Sequence, residues 1–187
     1  MKPSSSLLRP ERTAIVVVDL QDKLLPAIHE RERVLKNSVL LLRLARVLHL
    51  PIILTTQYRK GLGEINPEIL AAAPGVEPLD KVTFGCFADP GFEARLASLS
   101  GREELVVAGI EAHICVMQTV LGALDKGHQV HVASDAVGSR TEANRQVGLA
   151  RMERAGALLS SAEMAIYELL GRSDGQAFKE MLPYLKG

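Results

Sequence analysis

Three residues of different chemistry each follow a short apolar stretch of this 187-residue chain. Asp19 comes directly after the β-branched run 14–18, Lys81 follows a weaker stretch, and Cys115 comes shortly after the run 105–109. A thiol can attack a carbonyl carbon when a neighbouring carboxylate takes its proton, and an ammonium can stabilise the charge that develops. These three residue types therefore indicate nucleophilic catalysis, if the fold brings them together.

The position of Cys115 suggests a reason for its reactivity. A free thiol has a pKa of about 8.5 and is mostly protonated at neutral pH. Helix N-termini and nearby ammonium groups favour the thiolate. Cys115 is predicted to open a helix, and Lys81 could supply the ammonium. Backbone N–H groups at the same helix start could hold the oxyanion of an acyl intermediate.

Each of these residues also has a purely structural interpretation. Cysteine is often a small buried hydrophobe, aspartate after a strand often caps a helix, and a single lysine is usually solvated. Cys86 is a rival thiol, but it lies in a loop with no helix start behind it, which favours a packing residue at the pocket wall. His113 offers a Cys/His dyad with Cys115; its position two residues away favours ordering of the loop or contact with the substrate instead.

Other catalytic and cofactor patterns are missing from the sequence. Gly61-Leu62-Gly63 lacks the third glycine of a dinucleotide fingerprint, and neither a phosphate loop nor a Gly-x-Ser-x-Gly elbow is present. No His, Cys and carboxylate cluster has the spacing of metal ligands, so neither a metal nor a cofactor is predicted. A segment rich in arginine is interpreted as a solvated helix face: Arg140, Arg145, Arg151 and Arg154.

Strand and helix patterns alternate along the chain, which predicts an α/β fold with a parallel sheet and helices on both faces. The predicted strands cover residues 14–18, 51–55, 77–80, 105–109, 130–133 and 157–159. The predicted helices cover residues 34–48, 68–73, 90–99, 114–124, 142–155, a segment opened by a Ser160 and Glu163 capping box, and 174–184. Ligands bind outside the carboxyl ends of such strands, where Asp19, Lys81 and Cys115 all fall.

Composition restricts the possible partners. Lysine plus arginine and aspartate plus glutamate both number 22, so the net charge is zero and neither a nucleic-acid nor an anionic-membrane surface is indicated. The chain is predicted to be one domain over residues 1–187, with residues 1–11 loosely held. No secretory or membrane-spanning pattern is recognised, so a cytoplasmic location with two free thiols is expected.

The chain resembles the isochorismatase-like cysteine hydrolases, a superfamily that includes nicotinamidases and N-carbamoylsarcosine amidohydrolase. The resemblance covers nearly the whole chain, with the matching segments in the same order. Within the superfamily, the chain is most similar to the isochorismatase domain-containing proteins. It is carried by the segments 17–21 (VVDLQ), 80–84 (DKVTF) and 107–116 (VAGIEAHICV), with further similarity over 56–63, 131–137 and 161–165.

The resemblance implies a fold and a set of catalytic residues. Asp19, Lys81 and Cys115 take the places of the family's Asp–Lys–Cys triad. The implied fold is a Rossmann-like sheet of six parallel strands in the order 3-2-1-4-5-6, with Asp19 and Cys115 on adjacent strands. A non-proline cis peptide is expected at Ile110–Glu111, with the backbone N–H groups of Glu111 and Cys115 forming the oxyanion hole.

Departures from the family pattern narrow the expected chemistry. Metal-dependent nicotinamidases carry an Asp-x-His arrangement after the second strand, whereas residues 55–58 here are Thr-Thr-Gln-Tyr. Isochorismatases proper cleave a vinyl ether without needing a cysteine. The resemblance, with Cys115 present, therefore favours metal-independent hydrolysis of a small amide-like substrate through an acyl intermediate.

Further expectations concern the pocket and the assembly. A homo-oligomer is expected. Two alternatives stay open: hydrolysis of an isochorismate-like vinyl ether, for which the sequence offers no clear cationic clamp, and a binding or scaffold role without catalysis. The predicted substrate pocket consists of Gln21, Gln57, Tyr58, Phe84, Cys86 and His113.

Overall fold

A computed structural model describes residues 7–186 and contains one six-stranded parallel sheet. Its strand order is β3-β2-β1-β4-β5-β6, which confirms the predicted order and fold class. Because the strand order reverses between β1 and β4, a crevice opens at the carboxyl ends of these two strands. The strands are β1 (Thr13–Val18), β2 (Ile52–Gln57), β3 (Leu79–Lys81), β4 (Glu104–Ile110), β5 (Gln129–Gly138) and β6 (Leu158–Ser160).

Helices connect the strands and cover both faces of the sheet. None of the helices within residues 7–186 is long and apolar enough to cross a membrane. The α-helices are α1 (Arg31–Val47), α2 (Arg59–Leu62), α3 (Pro67–Ala72), α4 (Pro90–Ala97), α5 (Met117–Asp125), α6 (Glu142–Arg154), α7 (Ala162–Leu170) and α8 (Gln176–Leu185). Short 3₁₀ turns lie at Leu25–Ala27 and Cys86–Ala88, and a π-helical turn lies at Ala112–Val116.

The alternating side chains of β1 divide the core into two clusters. Ile15 and Val17 pack with residues of α1, α3, α7 and α8, whereas Val16 and Val18 pack with residues of α4, α5 and α6. Every residue of β1 is buried, as expected for a central parallel strand covered on both faces. The central strand is therefore a rigid support for the residue that follows it, Asp19.

The structure differs from two of the predicted element boundaries, one of a strand and one of a helix. The weak strand predicted at 77–80 lies at Leu79–Lys81, because Gln57 pairs with Lys81 and brings that lysine into the sheet. The cap of α7 is Ser161, whose side chain accepts from the Met164 N–H at 3.1 Å, and not Ser160. Ser160 instead ends β6, where it is buried and pairs with Ala133 of β5.

Residues 1–11 are predicted to be loosely held, but the segment from Leu8 onward is fixed to the body of the protein. Leu8 is buried in the core, and its N–H donates to the Glu168 carboxylate at 3.0 Å. The Arg9 N–H donates to the buried Glu104 carboxylate at 2.8 Å. These carboxylates fix the segment from Leu8 onward; residues 1–6 lie outside the described part.

Gly109 allows β1 and β4 to approach closely beside Asp19. Its φ is +117°, and a Cβ added there would meet the backbone of Val18, 2.6 Å from its nitrogen and 2.8 Å from its carbonyl carbon. A side chain at this position would therefore separate the two strands at the end where the site residues emerge.

We expect Gly109→Ala to lower the free energy of unfolding by roughly 3–5 kcal/mol, from backbone strain together with overpacking. Gly127→Ala is the matched control, because Gly127 also has a positive φ of 87° but nothing lies within 4 Å of its added Cβ. The control should lose only about 1–2 kcal/mol. Equal losses in urea unfolding would show that the close approach of the strands is unimportant.

Candidate active site

Asp19 leaves the sheet in a left-handed conformation, with φ +54°, and is only 1% exposed. Short polar side chains such as aspartate tolerate this region better than most. Its Oδ1 accepts from the Thr55 hydroxyl at 2.7 Å, and its Oδ2 accepts from the Lys81 ammonium at 2.7 Å. The carboxylate is therefore held at both oxygens, by a side chain of β2 and a side chain of β3.

Lys81 ends β3 and is almost completely buried. Its Nζ donates to Asp19 Oδ2 and Gln57 Oε1, both at 2.7 Å, and to the carbonyls of Thr83 and Phe84, both at 3.2 Å. Four acceptors surround a group with three protons, which is the environment that a buried ammonium requires. Lys81 therefore acts as a fixed positive charge beside Asp19.

Cys115 lies in the π-helical turn Ala112–Val116, which runs directly into α5, and shares a cavity with Asp19. Burial raises the pKa of Cys115 to about 12; the charge of Asp19 adds to this rise, Lys81 opposes it, and hydrogen bonding to Asp19 raises it further. Lys81 does favour the thiolate, as expected from the sequence, but burial and the charge of Asp19 together outweigh its effect. Lys81 is already paired with Asp19, so Cys115 rests as a thiol beside a carboxylate.

The peptide bond Ile110–Glu111 is cis, as expected from the resemblance. The Glu111 carboxylate accepts from the Arg140 backbone N–H and from its Nε, both at 3.1 Å. The oxyanion hole formed by the N–H groups of Glu111 and Cys115 stays a prediction.

The cavity beside Cys115 has a volume of about 310 Å³. Of the predicted pocket residues, Gln57 and Phe84 line it, whereas the others do not. Most of its lining residues are apolar, and two of them carry cationic side chains. It is lined by Asp19, Lys23, Leu24, Ala27, Ile28, Gln57, Leu62, Phe84, Ile110, Glu111, Ile114, Cys115 and Arg140.

The remaining predicted pocket residues lie behind or beside the cavity. Gln21 is buried, and its Oε1 accepts from the Gln57 N–H at 2.7 Å. Tyr58 is half exposed outside the cavity. His113 turns to Ser139, with 2.9 Å between its Nδ1 and Oγ, which supports the loop-ordering interpretation.

Cys86 is fully buried and lies close to the cavity without lining it. Its N–H donates to the Thr119 hydroxyl at 3.0 Å, and that hydroxyl donates to the Cys115 carbonyl at 2.7 Å. Burial raises the pKa of Cys86 to about 11. The structure thus gives Cys86 a packing position without access to the cavity.

The sequence interpretation missed Thr55 and the two cationic residues of the cavity wall. Arg140 was assigned to a solvated helix face, but it precedes α6, whose cap is Thr141, and it faces the cavity. Arg145 is also misassigned: it donates to the Val137 carbonyl at 3.1 Å and so holds the end of β5. A position just before a helix cap, at the carboxyl end of β5, was the available signal for Arg140.

One group of possible metal ligands lies on the described surface. Side-chain atoms of His29, Glu30 and Glu142 lie within 4.8 Å of one another. Arg33 already contacts Glu30 at 2.9 Å, and Arg145 contacts Glu142 at 2.8 Å. These carboxylates have cationic partners, and none of the three residues lines the cavity of Cys115, so the group gives no support to a metal-dependent reaction there.

Comparison with known proteins places the chain in a family. The isochorismatase domain model matches residues 13–164. Isochorismatase domain-containing protein 2 of Macaca fascicularis is 36% identical over 185 residues, which covers 99% of this chain and 88% of that protein.

Solved structures agree with this match. The MAR1 ribonuclease of Caenorhabditis elegans has a TM-score of 0.91 and 36% identity, covering 97% of this chain and 93% of the other. YcaC of Pseudomonas aeruginosa, solved with covalent acrylamide, and YcaC of Escherichia coli, an octameric hydrolase of unknown specificity, each have a TM-score of 0.90 and 26% identity, covering 99% of this chain and 96% of theirs.

The charge arrangement predicts how Cys115 titrates in a Cys86→Ala background. Asp19 favours the protonated thiol, so Asp19→Asn should lower the pKa of Cys115 by roughly 2–3 units while Lys81 still favours the thiolate. Thiolate absorbance near 240 nm, referenced to Cys115→Ser, should show no step up to about pH 10 in the parent protein. A step should enter that range in Asp19→Asn; its absence would contradict the assigned role of the Asp19 charge.

Proposed function

The chain belongs to the isochorismatase family, and from that premise we propose that it is a metal-independent cysteine hydrolase of a small, non-peptide, amide-like substrate. The observation that carries the proposal is the buried Asp19–Lys81 pair, joined at 2.7 Å, which shares a site with the Cys115 thiol. A buried charged pair is costly unless fully satisfied, and here it lies next to a nucleophile in a cavity.

The reaction follows from the protonation states. Cys115 Sγ attacks the carbonyl carbon of the substrate while its proton passes to Asp19, and the N–H groups of Glu111 and Cys115 hold the oxyanion. Collapse of the intermediate breaks the C–N bond, and the leaving amine takes the proton from Asp19. Water then attacks the thioester, giving its proton to Asp19, and the acid product leaves as Cys115 regains its proton. Lys81 keeps its own protons throughout and balances the charge of Asp19.

The cavity supports a small substrate. A volume of about 310 Å³ lies at the low end of small-molecule pockets, and its apolar wall suits a substrate with an apolar portion. The zero net charge does not favour binding to RNA, so the ribonuclease name of the nematode relative is not carried over to this chain. The covalent acrylamide in YcaC supports an amide-bearing compound as a probe.

Two further expectations belong to this proposal. The octameric YcaC, together with the exposed apolar side chains of Val82 and Phe84, supports a homo-oligomer. The two free cysteines, Cys86 and Cys115, are compatible with the reducing environment of the cytoplasm.

The test is a panel of small amides, with RNA included, assayed with two thiol variants. We expect Cys115→Ala to lower turnover about a thousandfold or more, because it removes the attacking atom. Cys86→Ala is the matched control and should retain activity, since its thiol does not line the cavity. Activity that survives Cys115→Ala would exclude the mechanism, and an inert Cys115 with no hydrolysis of any amide would favour the binding or scaffold alternative.

A second candidate function is hydrolysis of an isochorismate-like vinyl ether. The cations that this alternative needs are present, because Lys23 and Arg140 both line the cavity. An anionic substrate could contact the part of the Arg140 guanidinium that does not hold Glu111.

Arg140→Gln separates the two candidates. If the substrate is anionic, the variant should raise its KM by roughly tenfold or more through the loss of a charge-assisted contact. Neutral amides should be affected little. Arg151→Gln, at an exposed position of α6, is the control and should change neither. Turnover of isochorismate that depends on Arg140 but survives Cys115→Ala would support the vinyl-ether reaction.

A further inference from the structure

We propose that Thr55 is a positioning residue, which holds the Asp19 carboxylate in the orientation that receives the Cys115 proton. This inference rests on the proposed function, since it concerns the proton transfer in that reaction. Thr55 is completely buried in β2 and does not line the cavity, so it acts through Asp19 and not on the substrate.

The direction of the hydrogen bond is fixed by chemistry. An ionised carboxylate can only accept, so the Thr55 hydroxyl must donate to Asp19 Oδ1, at 2.7 Å. The second oxygen, Oδ2, is occupied by Lys81, also at 2.7 Å. With one donor on each oxygen, the carboxylate cannot rotate about its bond to Cβ without losing one of them.

Lys81 does not need Thr55 in order to stay in place. It also donates to Gln57 Oε1 and to the carbonyls of Thr83 and Phe84. The Gln57 amide is itself oriented, because its Nε2 donates to the Val82 carbonyl at 3.0 Å. Removal of the Thr55 hydroxyl should therefore free Asp19 while the ammonium stays fixed.

The strand supplies a matched control one residue away. Successive side chains of a strand point to opposite faces, and Thr56 donates to Asp80 Oδ1 at 2.9 Å and not to Asp19. Thr55 and Thr56 are both completely buried, and each donates one hydroxyl proton to an aspartate. Thr55→Val and Thr56→Val therefore each remove one hydrogen bond from a threonine to an aspartate, buried in the first case and partly buried in the second, but only the first bond touches the proton acceptor.

The experiment measures the rate of acrylamide addition to Cys115 by intact-protein mass spectrometry, in a Cys86→Ala background. In this addition the S–C bond forms at the β-carbon as the C=C bond opens, and the S–H proton passes through Asp19 to the α-carbon. Proton transfer to Asp19 makes the rate nearly independent of pH around neutrality. Addition through free thiolate instead rises about tenfold per pH unit below the thiol pKa.

We expect the parent protein to show the pH-independent rate from about pH 6 to about pH 9, and Thr55→Val to lower it roughly tenfold or more. Thr56→Val should stay within about twofold of the parent, and Thr55→Ser, which restores the donor, should recover most of the rate. Thermal unfolding of the two valine variants verifies that both are folded.

The outcomes separate this inference from the proposed function. A parent rate that rises with pH like that of an ordinary thiol would overturn the role of Asp19 as proton acceptor, and with it the proposed function. A pH-independent parent rate with equal effects of Thr55→Val and Thr56→Val, or no recovery in Thr55→Ser, would overturn only the role of Thr55. If Thr55→Val does not fold, Thr55→Ser provides the test. Loss of the parent's pH profile in Thr55→Ser would then overturn the role of Thr55.

Discussion

The buried ion pair between Asp19 and Lys81 is the interaction on which the site depends. Removing two charges from water costs several kcal/mol per ion unless the remaining donors and acceptors are satisfied. The structure meets that condition with the Thr55 hydroxyl, the Gln57 amide and two backbone carbonyls after β3. Three adjacent strands thus contribute to one charged pair, and their register must be kept for the pair to form.

The same pair determines the resting state of the nucleophile. Lys81 lies close enough to oppose the rise in the pKa of Cys115, but its charge is largely compensated by Asp19. Burial is the largest influence on both thiols and favours the neutral forms of Cys115 and Cys86, and the charge of Asp19 acts in the same direction. The difference between the two thiols is therefore one of access: Cys115 opens on the cavity, whereas Cys86 does not.

Features that depend on strand order and strand ends could be predicted from the sequence. A parallel sheet follows from the alternating elements, and the family resemblance implies its strand order. The convergence of Asp19, Lys81 and Cys115 follows from their positions after strand ends. The raised pKa of Cys115 could not be predicted, because it depends first on how deeply the thiol is buried and then on the balance between the charges of Asp19 and Lys81. Thr55 and Arg140 were missed for a related reason: a threonine in a strand and an arginine near a helix carry no signal until the packing shows what they face.

The residue proposed to accept the proton and most of the residues that would contact the substrate lie in different parts of the fold. The charged pair is buried and lies at the carboxyl ends of β1 and β3. Much of the cavity wall comes from connecting segments, at Leu24, Ile28, Phe84 and Arg140. A change in these segments can alter the size and charge of the accepted substrate without disturbing the pair, since none of their side chains bonds to Asp19 or Lys81. The backbone carbonyl of Phe84 is the exception that links the wall to the ammonium, so this residue connects the substrate cavity to the charge that the reaction requires.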